Sequence, residues 1–326
     1  MRRGTRGRGR PNRETGTWSD PAPHRIGYVR IRGVRLQYLD WGGTGPALIL
    51  IHGMGDNPHI FDDLAPAFTD RFRVVAYARR GHGHSSPRDP YTTAALTSDL
   101  RGLLDGLGIR RASLAGWSMG GNEVTGMARR HPGRVDRIVY LDGGYDWGDP
   151  DCLRALQAFP VPMEAPRSVY PSLNAYRSFW KRIIPGIRPF SRIEASIRES
   201  VVLRSDGSVR SRMRDAVAAR ARKALFSDRR EYTKIRAPAL SIYAATLTPV
   251  RGRPRSRAKK VAEWESKYWT PFRRKSIRKI RLELPGVRIA HLPGSHGDFV
   301  FSCRPALVRL MRAFLAAGDR QGLSRP

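Results

Sequence analysis

Residues 112–121 read Ala-Ser-Leu-Ala-Gly-Trp-Ser-Met-Gly-Gly, and within them Gly116-x-Ser118-x-Gly120 sets one hydroxyl between small neighbours. An apolar run, a glycine-flanked serine and then helical spacing over roughly 119–130 predict a strand, a sharp turn and a helix. At the tip of such a turn the backbone is strained, and small residues on either side keep it from clashing with strand and helix. Ser118 would then stand at a sheet edge. The helix that follows aims its N-terminus at the serine, where free N–H groups and the helix dipole favour developing negative charge. The chemistry this arrangement can do is nucleophilic attack on an acyl carbon. A serine hydroxyl is a weak nucleophile at neutral pH, so that chemistry also demands an adjacent base.

The elements that must position this serine follow from the periodicity. Ordered structure is expected to begin near Ile26, with residues 27–31 and 34–39 alternating as two strands of a hairpin about Arg32-Gly33. Residues 47–51 are a continuous apolar run, the pattern of a strand buried on both faces of a parallel sheet, and 74–78, 112–117 and 135–141 read as further buried strands. Helices are expected between them, over about 59–68, 93–107 and 119–130. Regular strand–helix alternation implies right-handed crossovers and a sheet covered on both sides. The fold class is therefore α/β, with a mostly parallel, doubly wound sheet. From 149 to 235 helical fragments, prolines and arginines replace the apolar strand runs, predicting a helical insertion. The sheet is expected to resume at 239–244, to be interrupted by a basic loop and long helix over 251–284, and to finish at 287–292 before a closing helix over 305–317. The expected organisation is a disordered basic tail at 1–24, a core at 25–148 and 236–318, a helical cap at 149–235 and a short tail at 319–326.

With these elements placed, the chain resembles the α/β-hydrolase fold family from about Ile26 to Ala317. Four motifs in order carry the resemblance: His52-Gly53, Arg80-Gly81-His82-Gly83, Gly116-x-Ser118-x-Gly120 and Gly294-Ser295-His296-Gly297, each after a predicted strand. The resemblance implies Ser118 as nucleophile and His296 as its base, with the backbone N–H groups of Met54 and Met119 as oxyanion donors. The family usually takes its acid from the loop after the strand preceding the last, but residues 244–249, Ala-Ala-Thr-Leu-Thr-Pro, hold no carboxylate. Some relatives take it from the end of the strand after the elbow helix. Asp142 stands there, and Asp146, four residues on, is the alternative. Glu123 is read as a buried hydrogen-bonding residue, Asp56 and Asn57 as polar loop residues, and His291 as packed within its strand. A serine at the elbow disfavours the aspartate-nucleophile branches. What remains is hydrolysis of a small-molecule ester, lactone or thioester through an acyl-enzyme, with carbon–carbon bond hydrolysis on the same site as the alternative.

Composition bounds partners and location. The net charge is +32. It divides unevenly: +6 over residues 1–30, +1 over 31–150 and +25 over 151–326. The basic excess lies outside the segment that holds the serine, and a cationic cap beside a neutral catalytic half would draw anionic substrates. A competing reading is a polyanion- or nucleic-acid-binding protein on an inactive hydrolase scaffold, with residues 251–281 as its surface. No recognised nucleic-acid motif supports it. Cys152 and Cys303 form no disulfide framework, and no run of 18 apolar residues predicts a membrane span. The basic start is not followed by an apolar segment of the secretory kind, so a cytoplasmic location is expected. No cofactor is expected and no metal site, His82 and His84 being read as structural residues of a glycine-rich loop. Nothing in the sequence sets the oligomeric state.

Overall fold

The computed structural model describes residues 20–160, 167–249 and 255–316. Strands β1 (Arg25–Ile31) and β2 (Val34–Gly42) pair antiparallel around Arg32 and Gly33, both at positive φ. Strand β3 (Ala47–Ile51) leads to β4 (Arg73–Tyr77). A single helix expected over 59–68 is instead two 3-10 turns, Pro58–Phe61 and Ala65–Phe68. The physical reason is Pro66, which within a continuous α-helix would lack its N–H and clash with the carbonyl one turn back.

Helix α1 (Thr93–Gly106) is opened by the Thr92 hydroxyl, which accepts from the N–H of Ala95, and the chain turns out of it at Gly108, φ 65°. Strand β5 (Ala112–Trp117), helix α2 (Gly120–Arg130) and β6 (Val135–Leu141) follow as the sequence predicts. Next come α3 (Pro150–Gln157), β7 (Val169–Tyr170), α4 (Leu173–Ile183), α5 (Glu194–Glu199), β8 (Val201–Leu203), β9 (Val209–Ser211) and α6 (Asp215–Ser227). The stretch expected to be helical thus also carries a small antiparallel sheet, ordered β7-β9-β8. Strands of two or three residues leave no periodicity to read.

The main sheet resumes with β10 (Ala239–Thr246). The long helix expected from 251 to 284 is broken into α7 (Arg255–Trp264), a π turn (Glu265–Trp269) and α8 (Thr270–Glu283), its first residues lying outside the described ones. Strand β11 (Arg288–Ser295), the short α9 (Phe299–Ser302) and α10 (Arg304–Ala316) close the chain. The eight strands run in the order β1-β2-β4-β3-β5-β6-β10-β11, parallel from β4 to β11 and antiparallel at the β1–β2–β4 end.

β3 explains why its sequence is apolar throughout. Leu48 and Leu50 enter the core on one side of the sheet, and Ala47, Ile49 and Ile51 the core on the other. With successive side chains pointing to opposite faces, two covered faces require an unbroken apolar run. Because β3, β5, β6, β10 and β11 are parallel, their C-terminal ends share one edge, where residues from five different loops can meet.

Candidate active site

Ser118 follows β5 at φ 54°, in the left-handed region that a residue with a Cβ seldom adopts. The glycines around it are required by contact. A Cβ on Gly116 would come within 2.5 Å of the Gly120 carbonyl carbon, one on Gly120 would strike the Ile51 carbonyl, and one on Gly121 the carbonyl of Gly143. The motif therefore packs the start of α2 against the ends of β3 and β6.

His296 is held at the end of β11 by its backbone. Its N–H donates to Thr246 O at 2.9 Å, and its carbonyl accepts from the Trp117 indole N–H at 3.1 Å. So fixed, the ring sets Nε2 2.8 Å from Ser118 Oγ and Nδ1 2.6 Å from Asp142 Oδ2. The partners assign the tautomer: Nδ1–H donates to the carboxylate and Nε2 accepts from the serine hydroxyl. Asp142, at φ 44°, uses its other oxygen to accept from the Tyr145 hydroxyl at 2.6 Å and from the Ala244 N–H at 3.0 Å. Burial and the neighbouring Asp142 charge both push the Tyr145 hydroxyl well above its usual range, so it remains a donor. Ala244 lies near the C-terminal end of β10, so that strand supplies a backbone N–H to Asp142 at the end of its neighbour β6.

Asp146 is elsewhere. The alternative acid of the sequence reading, it is buried, accepting from the Arg230 N–H and pairing with Arg229 and with Lys279 at 2.7 Å. Met119, nearly fully buried, is the N-cap residue of α2, and half-buried Met54 follows Gly53 at the end of β3. Both belong to or pack against the apolar cluster that contains Tyr145, Trp147 and Trp269. Trp147 meets the His296 ring edge-on, with centroids 5.9 Å apart.

Beneath the loop that carries Met54 lies a buried ionic network. Arg79, at the end of β4, donates to the carbonyls of His52 (2.5 Å) and Gly53 (3.0 Å) and pairs with Glu123 at 2.6 Å, while the Tyr77 hydroxyl donates to Glu123 at 2.8 Å. Glu123 is the buried hydrogen-bonding residue its place on α2 suggested. His52 is held neutral: burial first, then the Arg79 charge, pushes it well below its usual range. Its Nδ1–H donates to Gly53 O and its Nε2 accepts from Arg79 N–H.

Asn57 caps the first 3-10 turn by accepting from His59 N–H, and its amide donates to Ser196 O at 2.9 Å and to Ser200 Oγ at 3.0 Å. The loop role expected of it is observed, with a tie to α5 added. Asp56 is more than loop polarity: its carboxyl lies close by Gly53, and burial raises it to about 6 against the opposing charges of Arg79 and His296. His82 is buried with Nδ1 3.1 Å from the Arg80 carbonyl, and His84 pairs with Glu199 at 3.1 Å. His291 is exposed rather than packed, although its ring stacks on Tyr243.

Glu265, at the π turn, accepts from the Leu247 N–H at 2.6 Å, which puts a carboxylate against the loop that lacks one in sequence. Neither Glu265 nor Tyr145 was singled out by sequence reasoning. No motif marks them: Tyr145 reaches Asp142 from three residues on, and the π turn brings Glu265 to Leu247.

The sheet order, the strained serine and the histidine at the end of the last strand define an α/β-hydrolase fold. Residues 46–180 match the family model for the alpha/beta hydrolase fold. An uncharacterized protein of Mycobacterium tuberculosis is 34% identical over 147 residues, 45% of this chain and 43% of its own length. A non-heme chloroperoxidase of Kitasatospora aureofaciens is 39% identical over 112 residues, 33% of this chain and 40% of its own. The chain thus spans less than half the length of these curated relatives. A solved structure of E-2-(acetamidomethylene)succinate hydrolase aligns over 90% of this chain and 100% of its own, with a TM-score of 0.73 and 21% identity, a likeness of fold. Among the described residues no helix is long and apolar enough to cross a membrane.

Proposed function

We propose that this chain is a serine hydrolase that cleaves small-molecule acyl substrates through an acyl-enzyme. The observation that carries the reading is the unbroken hydrogen-bonded chain from Ser118 Oγ through His296 to Asp142, at 2.8 and 2.6 Å. In this mechanism His296 Nε2 takes the hydroxyl proton as Ser118 attacks the carbonyl carbon, and Asp142 stabilises the imidazolium that forms. The N–H groups of Met54 and Met119 receive the developing oxyanion. His296 then gives the proton to the leaving group, and water, activated by the same nitrogen, releases the acyl group. Esters, lactones and thioesters share this course. The same chain speaks against an inactive scaffold that serves only to hold polyanions.

Substrate attraction is the part of the proposal that rests on charge. Several cap arginines are engaged by carboxylates: Arg192 with Asp63, Arg220 with Asp89, Arg177 and Arg198 with Glu194, Arg229 with Asp146 and Asp149. An anionic substrate would therefore be drawn by the long-range field of the +32 chain rather than clamped by one arginine. The wall it would meet beside His296 is aromatic, led by Trp147. A cytoplasmic location is part of this reading, in keeping with two buried free thiols.

The deciding experiment is labelling with a fluorophosphonate, together with hydrolysis of p-nitrophenyl esters of graded chain length. Wild type is expected to label and turn over, and Ser118→Ala to do neither. Near wild-type hydrolysis by Ser118→Ala would remove the proposed nucleophile and with it the mechanism.

A further inference from the structure

Away from the serine, four metal-ligating side chains converge from two stretches of chain that no motif connects. The first stretch lies just ahead of β1, within the segment expected to be a disordered tail. There the Ala22 N–H donates to Asp20 Oδ1 and the His24 N–H to the Ala22 carbonyl, both at 2.9 Å, making a turn that sets Asp20 and His24 side by side. The second is the 3-10 turn Pro58–Phe61 with the residue that follows it, where His59 and Asp62 point the same way. His24 Nε2 stands 3.0 Å from Asp20 Oδ2 and 3.5 Å from Asp62 Oδ1. His59 Nδ1 stands 3.1 Å from Asp20 Oδ2 and 2.9 Å from Asp62 Oδ2.

Four features distinguish this from an ordinary ion pair. The cluster is withdrawn from solvent, with side-chain exposures of 3% for His24, 6% for His59, 11% for Asp62 and 18% for Asp20. Each facing imidazole nitrogen lies between two carboxylates, although a nitrogen can direct only one N–H. Asp62 Oδ1 is buried without a hydrogen-bond partner. Finally, one donor atom from each of the four residues lies within 4.8 Å of all the others, and the close separations match the edge of a tetrahedron, about 3.3 Å for zinc ligands at about 2.0 Å.

We propose that Asp20, His24, His59 and Asp62 form a structural site for a divalent cation, zinc by preference, that staples the chain ahead of β1 to the loop following β3. Two neutral imidazoles and two carboxylates suit zinc in ligand type and number, and the dication balances two buried negative charges. A closed set of four protein ligands is a structural rather than a catalytic arrangement. His59 is five residues beyond Met54, so the staple would also steady the loop that carries this proposed oxyanion donor.

The test uses the full chain, stripped with a chelator that is then dialysed away, and titrated with zinc chloride by calorimetry. The expected result is one zinc per chain and a thermal midpoint that rises with zinc. Cobalt(II) in its place should give the intense visible absorption of a four-coordinate ion. His24→Ala and Asp62→Asn should lose this uptake, and His84→Ala, outside the cluster, should keep it. If the two inner variants fail to fold, Asp20→Asn, at the least buried ligand, decides: zinc binding weaker by about 100-fold or more supports the site, and unchanged binding overturns it. A folded wild-type chain that takes up no zinc, or inner variants that bind it like wild type, would equally overturn the proposal.

Discussion

Asp142 meets His296 at 2.6 Å and is itself held by Tyr145 and Ala244. Replacing it by asparagine keeps the shape but favours the wrong imidazole tautomer. Asp142→Asn should lower kcat by about 10³ to 10⁴ with little change in KM, and Ser118→Ala or His296→Ala should each cost about 10⁴ or more. Asp146→Asn should leave kcat near wild type and show its effect in thermal stability, because its partners are Arg229, Arg230 and Lys279.

Asp56 carries a pH prediction of its own. Its carboxyl titrates near 6 in the folded chain against 3.8 unfolded. As pH rises from about 4 to 6 the unfolded chain releases this proton first, so Asp56 lowers stability across that window and holds it lower above it. Asp56→Asn should therefore be more stable than wild type by about 1–2 kcal/mol at pH 8, with the difference vanishing toward pH 4. Thermal unfolding at several pH values reads this directly. The meeting of Ser118, Asp142 and His296 could be anticipated because each stands at the end of a strand predicted from sequence, two of them inside glycine-flanked motifs. Tyr145 carries no motif although it sits three residues from Asp142, and Asp56 reads only as a polar loop residue because the burial and the Arg79 and His296 charges that act on it come from other parts of the chain.

At the scale of elements, an unbroken apolar run marked β3, where burial on two faces leaves a continuous signal, and alternation marked the β1–β2 hairpin. The three small strands of residues 149–235 left none, and a helix drawn through Pro66 could not exist as drawn. Equally hidden was the pair that joins β4 to α2. Arg79 and Glu123 lie 44 residues apart, and their shared burial appears only once both elements are packed. Removing one charge from such a pair leaves the other without its counter-charge. Glu123→Gln should cost about 3–5 kcal/mol in urea unfolding, with a lowered kcat as Arg79 loosens the carbonyls of His52 and Gly53.

For the whole molecule, the charge split was visible in composition, whereas the pairing of its arginines was not. Since those near the core are engaged, the proposed pull on anionic substrates is a property of the field and should be screened. The preference for an anionic over a matched neutral ester, measured as kcat/KM, is expected to shrink several-fold between low salt and about 0.5 M salt. Equal preference at both would confine the arginines to surface and pairing roles. The thiols give a contrasting whole-chain expectation. Burial pushes Cys152 up to about 12 and raises Cys303 as well, so neither should be alkylated at pH 7.5 until the chain unfolds.

The amide of Asn57 grips α5 three residues after Met54. In the proposed mechanism, a substrate whose entry displaces α5 would therefore pull on the loop that carries Met54, the proposed oxyanion donor. Admission and acceleration share one tether. Variation at Ser196 or Ser200, far along the chain from the nucleophile, should accordingly register in turnover as much as in affinity, and breadth of substrate choice would be gained only by slackening the grip on the transition state.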